Sequence, residues 1–173
     1  MTVYYFRMKI FFLILCLFIF PSPSLSSPPD ESYRIVIVKS TFTLFLYKGD
    51  SLQNSYKVAI GKNEGDKERV GDLKTPEGEF VISQIQNSST WTHDFKDGKG
   101  KTKDAYGPWF FRLNTEATRT LSGKAWKGIA IHGTHDENSI GTRTSEGCVR
   151  LRNKDLEELR NIVYVGMPVV IKQ

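Results

Sequence analysis

From Tyr33 onward apolar and polar residues alternate in short runs separated by turn residues, the period of strands rather than of helices. The runs YRIVIV (33–38), FTLFLY (42–47), YKVAI (56–60), EFVISQI (79–85), WFFRL (109–113), GIAIH (128–132) and PVVIK (168–172) are rich in β-branched and aromatic residues and predict strands. Lys39-Ser40-Thr41 joins the first two, and Lys48-Gly49-Asp50 supplies a turn after the second, so a hairpin opens the domain. A helical period surfaces over Lys154–Asn161, where Leu156 and Leu159 share a face, Asp155 suits the first turn and Asn153 is placed to cap. This pattern predicts a mainly β domain, a sandwich or barrel with one late helix. Asn87 to Gly107 breaks the alternation, being polar and rich in Gly and Lys; it predicts a loop or hairpin that can serve as a lid. Trp91, His93, Phe95, Tyr106 and the neighbouring Trp109 would let such a lid exclude water.

Residues 1–29 follow another pattern. Arg7 and Lys9 precede an unbroken apolar run from Ile10 to Phe20, after which come prolines and serines. A basic head, a short apolar stretch and small residues at Ser24 and Ser26 predict a secretory signal peptide over 1–26. The run is shorter than the ~20 residues of a membrane span; left uncleaved, residues 10–20 would be a membrane tether. A short linker over 27–32 and one domain over 33–173 complete the organisation, and export to the periplasm or cell envelope follows.

The charge is mild. Losing Arg7 and Lys9 lowers the net charge from +5 to +3, and no dense Lys/Arg cluster with interleaved aromatics marks a nucleic-acid surface. Export makes the cysteines informative, because cleavage leaves Cys148 alone and without an intramolecular disulfide partner. Such a thiol is buried, paired with another chain, or kept for its chemistry. Alternation in GIAIH sends Ile129 and Ile131 to the core and brings His132 out at the strand end beside the small Ala130. His135 falls in a polar turn with Asp136, Glu137 and Asn138. A loop back to Ser145-Glu146-Gly147-Cys148 brings the thiol within reach of His132. An imidazolium beside a thiol lowers its pKa and yields a thiolate nucleophile; the histidine then protonates the leaving amine. Backbone N–H groups of Glu146-Gly147-Cys148 would stabilise an oxyanion, and Arg150, on the same side of its strand, suits a substrate carboxylate. Zinc fails on ligand count, since His132, His135 and Cys148 have no evident fourth partner, and no cofactor motif is present.

Three separated segments carry a resemblance: YKVAIGKN, LKTPEGEF (73–80) and IHGTHDENSIGTRTSEGCVRLRNKDLEEL. Together they make Tyr33 to Lys172 similar to a YkuD-type L,D-transpeptidase catalytic domain, with Ser-x-Gly-Cys-x-Arg-Leu the most specific element. The resemblance implies Cys148 as nucleophile, His132 as general base and acid, the Gly133 main-chain carbonyl orienting the imidazole, and the Gly147 amide in the oxyanion hole. It implies peptidoglycan stem tetrapeptides as partners: the thiol attacks at the L-centre of a diaminopimelate residue, D-alanine leaves, and an amine resolves the thioester into a 3→3 cross-link. Arg150, Ser145, Thr134, Trp109 and Tyr106 are the substrate-binding candidates. Many members have histidine where this chain has Glu146, which bears on acceptor preference. Other resolving acceptors are a free D-amino acid, a protein lysine or water, and a catalytically idle wall-binding domain is the alternative of another class.

Overall fold

The computed structural model describes residues 32–173; the leader, the possible tether at 10–20 and most of the linker lie outside them. The first two strands, β1 (Tyr33–Val38) and β2 (Thr43–Lys48), form the expected hairpin. They are joined by a 3₁₀ turn that ends with Phe42 in the left-handed region at φ 51°, which starts β2 one residue late. The next strands, β3 (Ser51–Gly61) and β4 (Gly78–Asn87), run longer than the apolar pattern indicates. Pairing extends them: Ser51 to Ser55 of β3 are exposed but laddered to β2. Three short strands have no apolar signature, namely β5 (Thr92–Asp94), β6 (Lys101–Lys103) and β9 (Arg143–Ser145). The remaining elements are β7 (Trp109–Asn114), β8 (Ala130–His132), β10 (Val149–Leu151), helix α1 (Asn153–Arg160) and β11 (Pro168–Lys172).

The strand order β10-β8-β7-β4-β11-β1-β2-β3, together with a β10–β3 pairing, closes a barrel; β9 attaches to β3, and β5–β6 form a separate ribbon. Alternate residues of each strand fill the barrel: Ile35 and Ile37, Leu44 and Leu46, Val58 and Ile60, Phe80 and Ile82 are all buried. Leu156 and Leu159 of α1 are fully buried in this same core, as the helical period requires. Closure matters for the site because β10 is short and would fray at an open edge. Paired on one side with β8 and on the other with β3, it is held in place.

Candidate active site

Register decides which side chains meet. Across the outer face of the barrel Ala59 opposes Arg150, Arg150 opposes His132, and His132 opposes Phe110. Partners in register project to the same side. The inner face carries the complementary row Val149–Ile131–Phe111, fully buried. Cys148 lies two residues before Arg150 and so shares the outer side with it and with His132.

The turn after β8 fixes the imidazole. His132 Nδ1 lies 2.6 Å from the Gly133 carbonyl. A carbonyl only accepts, so Nδ1 carries the proton and Nε2 is left as the base. Asn153 clamps this turn by donating from Nδ2 to Thr134 O at 3.0 Å and accepting from Thr134 N at 2.9 Å. A side chain at Gly133 would drive its Cβ to 2.2 Å from Asn153 Oδ1, which explains the glycine by close approach. Asn153 therefore does not cap α1 as expected. Its own N–H is accepted by Glu137 Oε1 at 2.9 Å, a carboxylate at the helix start.

The nucleophile turn is braced differently. Gly147 has φ +135° and sits against the Lys74 carbonyl, a backbone conformation and clearance suited to glycine. Its N–H donates to Ser145 Oγ at 3.1 Å, and Ser145 Oγ donates to the Cys148 carbonyl at 2.5 Å. The Gly147 amide is thereby engaged within the turn. The Cys148 thiol donates to the Gly128 carbonyl at 3.2 Å. It stays partly open to solvent although protein atoms crowd it.

The segment expected to serve as a lid carries the β5–β6 ribbon. Ser88 ties its base, donating from N to Pro108 O and from Oγ to Gly107 O. Tyr106 packs edge-on against His132 at 5.0 Å, Phe110 stacks on His132 at 5.5 Å, and Trp91 packs on both Tyr106 and Phe110. Beneath lies a cavity of about 890 Å³ whose lining includes Cys148, His132, Arg150, Tyr106, His93 and Trp126. Arg150 is 7% exposed, lies under the Phe95 ring at 5.4 Å, and leaves Nε without a hydrogen-bond partner.

Burial governs the charges. It pushes His132 down to about 3, with the Arg150 cation acting in the same direction, against the Gly133 and Tyr106 carbonyls. It also pushes the Cys148 thiol up, although the Ala130 amide and Arg150 favour the thiolate. Both shifts disfavour the charged forms, opposite in direction to what a thiolate–imidazolium pair requires. Burial, with the Glu146 carboxylate acting in the same direction, raises Tyr106 as well.

Two of the substrate-binding candidates, Arg150 and Tyr106, reach the cavity. Trp109 does not: its Nε1 donates to Glu157 at 2.9 Å and its ring lies under Arg160, on the helix side. Thr134 and Ser145 are both 1% exposed and hold turns rather than face the cavity. His135 is exposed and packs on Phe95. Lys67 and Arg112 also line the cavity; neither carries a local pattern that would have singled it out. Among the described residues no group of His, Cys, Asp and Glu is placed to hold a metal.

Among the described residues Cys148 is the one free thiol; it shares a cavity with a tautomer-fixed imidazole on a closed β barrel, an arrangement that suits cysteine-dependent acyl transfer. Residues 32–171 match the family model of the YkuD L,D-transpeptidase catalytic domain, and the chain belongs to that family. It is 30% identical over 149 residues to the putative L,D-transpeptidase YkuD of Bacillus licheniformis, covering 86% of this chain and 71% of that one. The Bacillus subtilis protein of the same name is 28% identical, with 87% and 73% covered. In fold the chain is similar to an L,D-transpeptidase from Mycobacterium smegmatis, with TM-score 0.61 at 16% identity over 82% of this chain and 59% of that one. It is similar also to the catalytic domain of the E. faecium L,D-transpeptidase, with TM-score 0.57 at 19% identity, covering 82% of this chain and 98% of that domain. The chain thus spans less than two thirds of the M. smegmatis structure.

Proposed function

We propose that this protein is an exported L,D-transpeptidase that cleaves D-alanine from peptidoglycan stem tetrapeptides through a Cys148 thioester and passes the acyl group to a second stem peptide. The observation that supports this most is the in-register row joining Arg150 to His132, together with the cavity that Cys148, His132 and Arg150 all line. His132 Nε2 takes the thiol proton as sulfur attacks the carbonyl carbon, then gives it to the departing amine. With the Gly147 amide engaged by Ser145, the Cys148 amide is the donor assigned to the oxyanion. Arg150, buried with an unpartnered Nε, offers a carboxylate of the donor peptide a charge-assisted partner. The signal pattern at 1–26 is the basis for placing the enzyme in the periplasm or envelope. Incubation with disaccharide tetrapeptide and mass spectrometry tests the reading. The wild type is expected to yield an acyl-enzyme short of D-alanine and a 3→3 linked dimer, and Cys148→Ala neither; unchanged product from that variant overturns it.

A further inference from the structure

The lid and the nucleophile turn meet through a chain of hydrogen bonds that acylation does not use. His93 Nε2 lies 3.1 Å from Glu146 Oε2, and His93 Nδ1 lies 3.0 Å from Tyr106 Oη. An ionised carboxylate only accepts, so Nε2 carries the ring proton toward Glu146. Nδ1 is then the acceptor, and the Tyr106 hydroxyl donates to it. The order carboxylate, imidazole, hydroxyl is that of a proton relay whose outer end, Tyr106, faces the cavity beside His132. We infer that Glu146, His93 and Tyr106 form a second acid–base relay that receives the proton of the incoming acceptor amine.

This rests on the transpeptidase reading and concerns its second half. A primary amine arrives at neutral pH as an ammonium and must lose a proton before its nitrogen can attack. Among the described residues lining the cavity, Lys67, Arg112, Lys127 and Arg150 are basic and Glu146 alone is acidic. The cations suit carboxylates of the donor, and the single anion, two residues from the thiol, suits an ammonium. His132 is buried and already serves the proton that moves between sulfur and nitrogen. His93 is partly exposed beside Glu146 and can hand a proton to solvent.

The step balances as follows. The ammonium gives one proton to Tyr106 Oη while the phenolic proton moves to His93 Nδ1, leaving an imidazolium held by Glu146. The free amine then forms the C–N bond at the thioester carbon. The C–S bond breaks, and the second amine proton reaches sulfur through His132 Nε2. The products are an amide, the Cys148 thiol and one proton released from His93.

The test compares the wild type with His93→Gln and Glu146→Gln. Each is given disaccharide tetrapeptide with either D-methionine or hydroxylamine as acceptor, and D-alanine release, exchanged product and hydrolysed tripeptide are quantified. D-Methionine arrives as an ammonium, whereas hydroxylamine is largely unprotonated at neutral pH and needs no relay. The expected result is a loss of D-methionine transfer of about 10²-fold in both variants, far beyond any fall in D-alanine release, with transfer to hydroxylamine retained. Equal losses with both acceptors would mean that the two residues merely hold the lid, and would overturn the relay, as would D-methionine transfer at the wild-type rate. Absence of D-alanine release by the wild type would overturn the underlying transpeptidase reading instead.

Discussion

His132 is 2% exposed, and burial sets both its chemistry and its effect on stability. In an unfolded chain imidazole titrates near ~6.5, whereas in the folded domain His132 is pushed down to about 3. Between those values the unfolded state binds more protons, so stability is fully present above the unfolded pKa and falls as pH drops toward the folded one. Asp72 extends the loss to lower pH. Burial acts to raise its carboxyl, but the Lys67 ammonium at 2.6 Å and the Arg69, Glu68 and Lys74 amides outweigh this and hold it well below the carboxylate range. The urea midpoint is therefore expected to fall on acidification from pH 7 to pH 4, and His132→Gln to flatten that fall. An unchanged slope in the variant would contradict the assignment. The raised thiol predicts that alkylation of Cys148 by iodoacetamide keeps accelerating above pH 9; a plateau already reached near pH 7 would restore the thiolate pair. Alternation alone was enough to prefer His132 over His135. The downward shift of His132 was not legible, because the burial behind it comes from Tyr106 and Phe110 covering the ring from distant parts of the chain.

At the scale of elements, strands that bury alternate side chains were visible and those held only by pairing were not. β5, β6 and β9 bury too few apolar groups to show a period, and their backbone partners supply the stabilisation. Helix α1 was legible through Leu156 and Leu159, but its start was misread. Asn153 is the kind of residue that caps, yet its amide is drawn to Thr134 on the turn carrying Gly133. Asn153→Ala removes both hydrogen bonds and exposes the freed Thr134 groups to poor solvation, a cost of about 1–3 kcal/mol. Since the same turn aims the Gly133 carbonyl at His132 Nδ1, D-alanine release is expected to fall as well. Denaturant unfolding together with D-alanine release checks both parts, and full activity in a destabilised variant would separate the turn from the chemistry.

For the molecule as a whole, stability is concentrated in the ring of strands. β1, β4 and β11 lie side by side with buried residues from each in one core, whereas β5 and β6 pair only with one another and are largely exposed. Hydrogen exchange is expected to complete in β5–β6 while β1, β4 and β11 remain protected; equal protection would make the ribbon part of the cooperative barrel. The pattern announced a barrel or sandwich without deciding between them, because closure rests on Arg150 opposing Ala59 and Leu151 opposing Val58, a match between remote segments with no local signal.

That seam also holds the reactive segment. The segment carrying Cys148 is held between β3, from the first third of the domain, and β8. The placing of the thiol and the imidazole on one face is therefore a property of the closed ring and of no local stretch of chain.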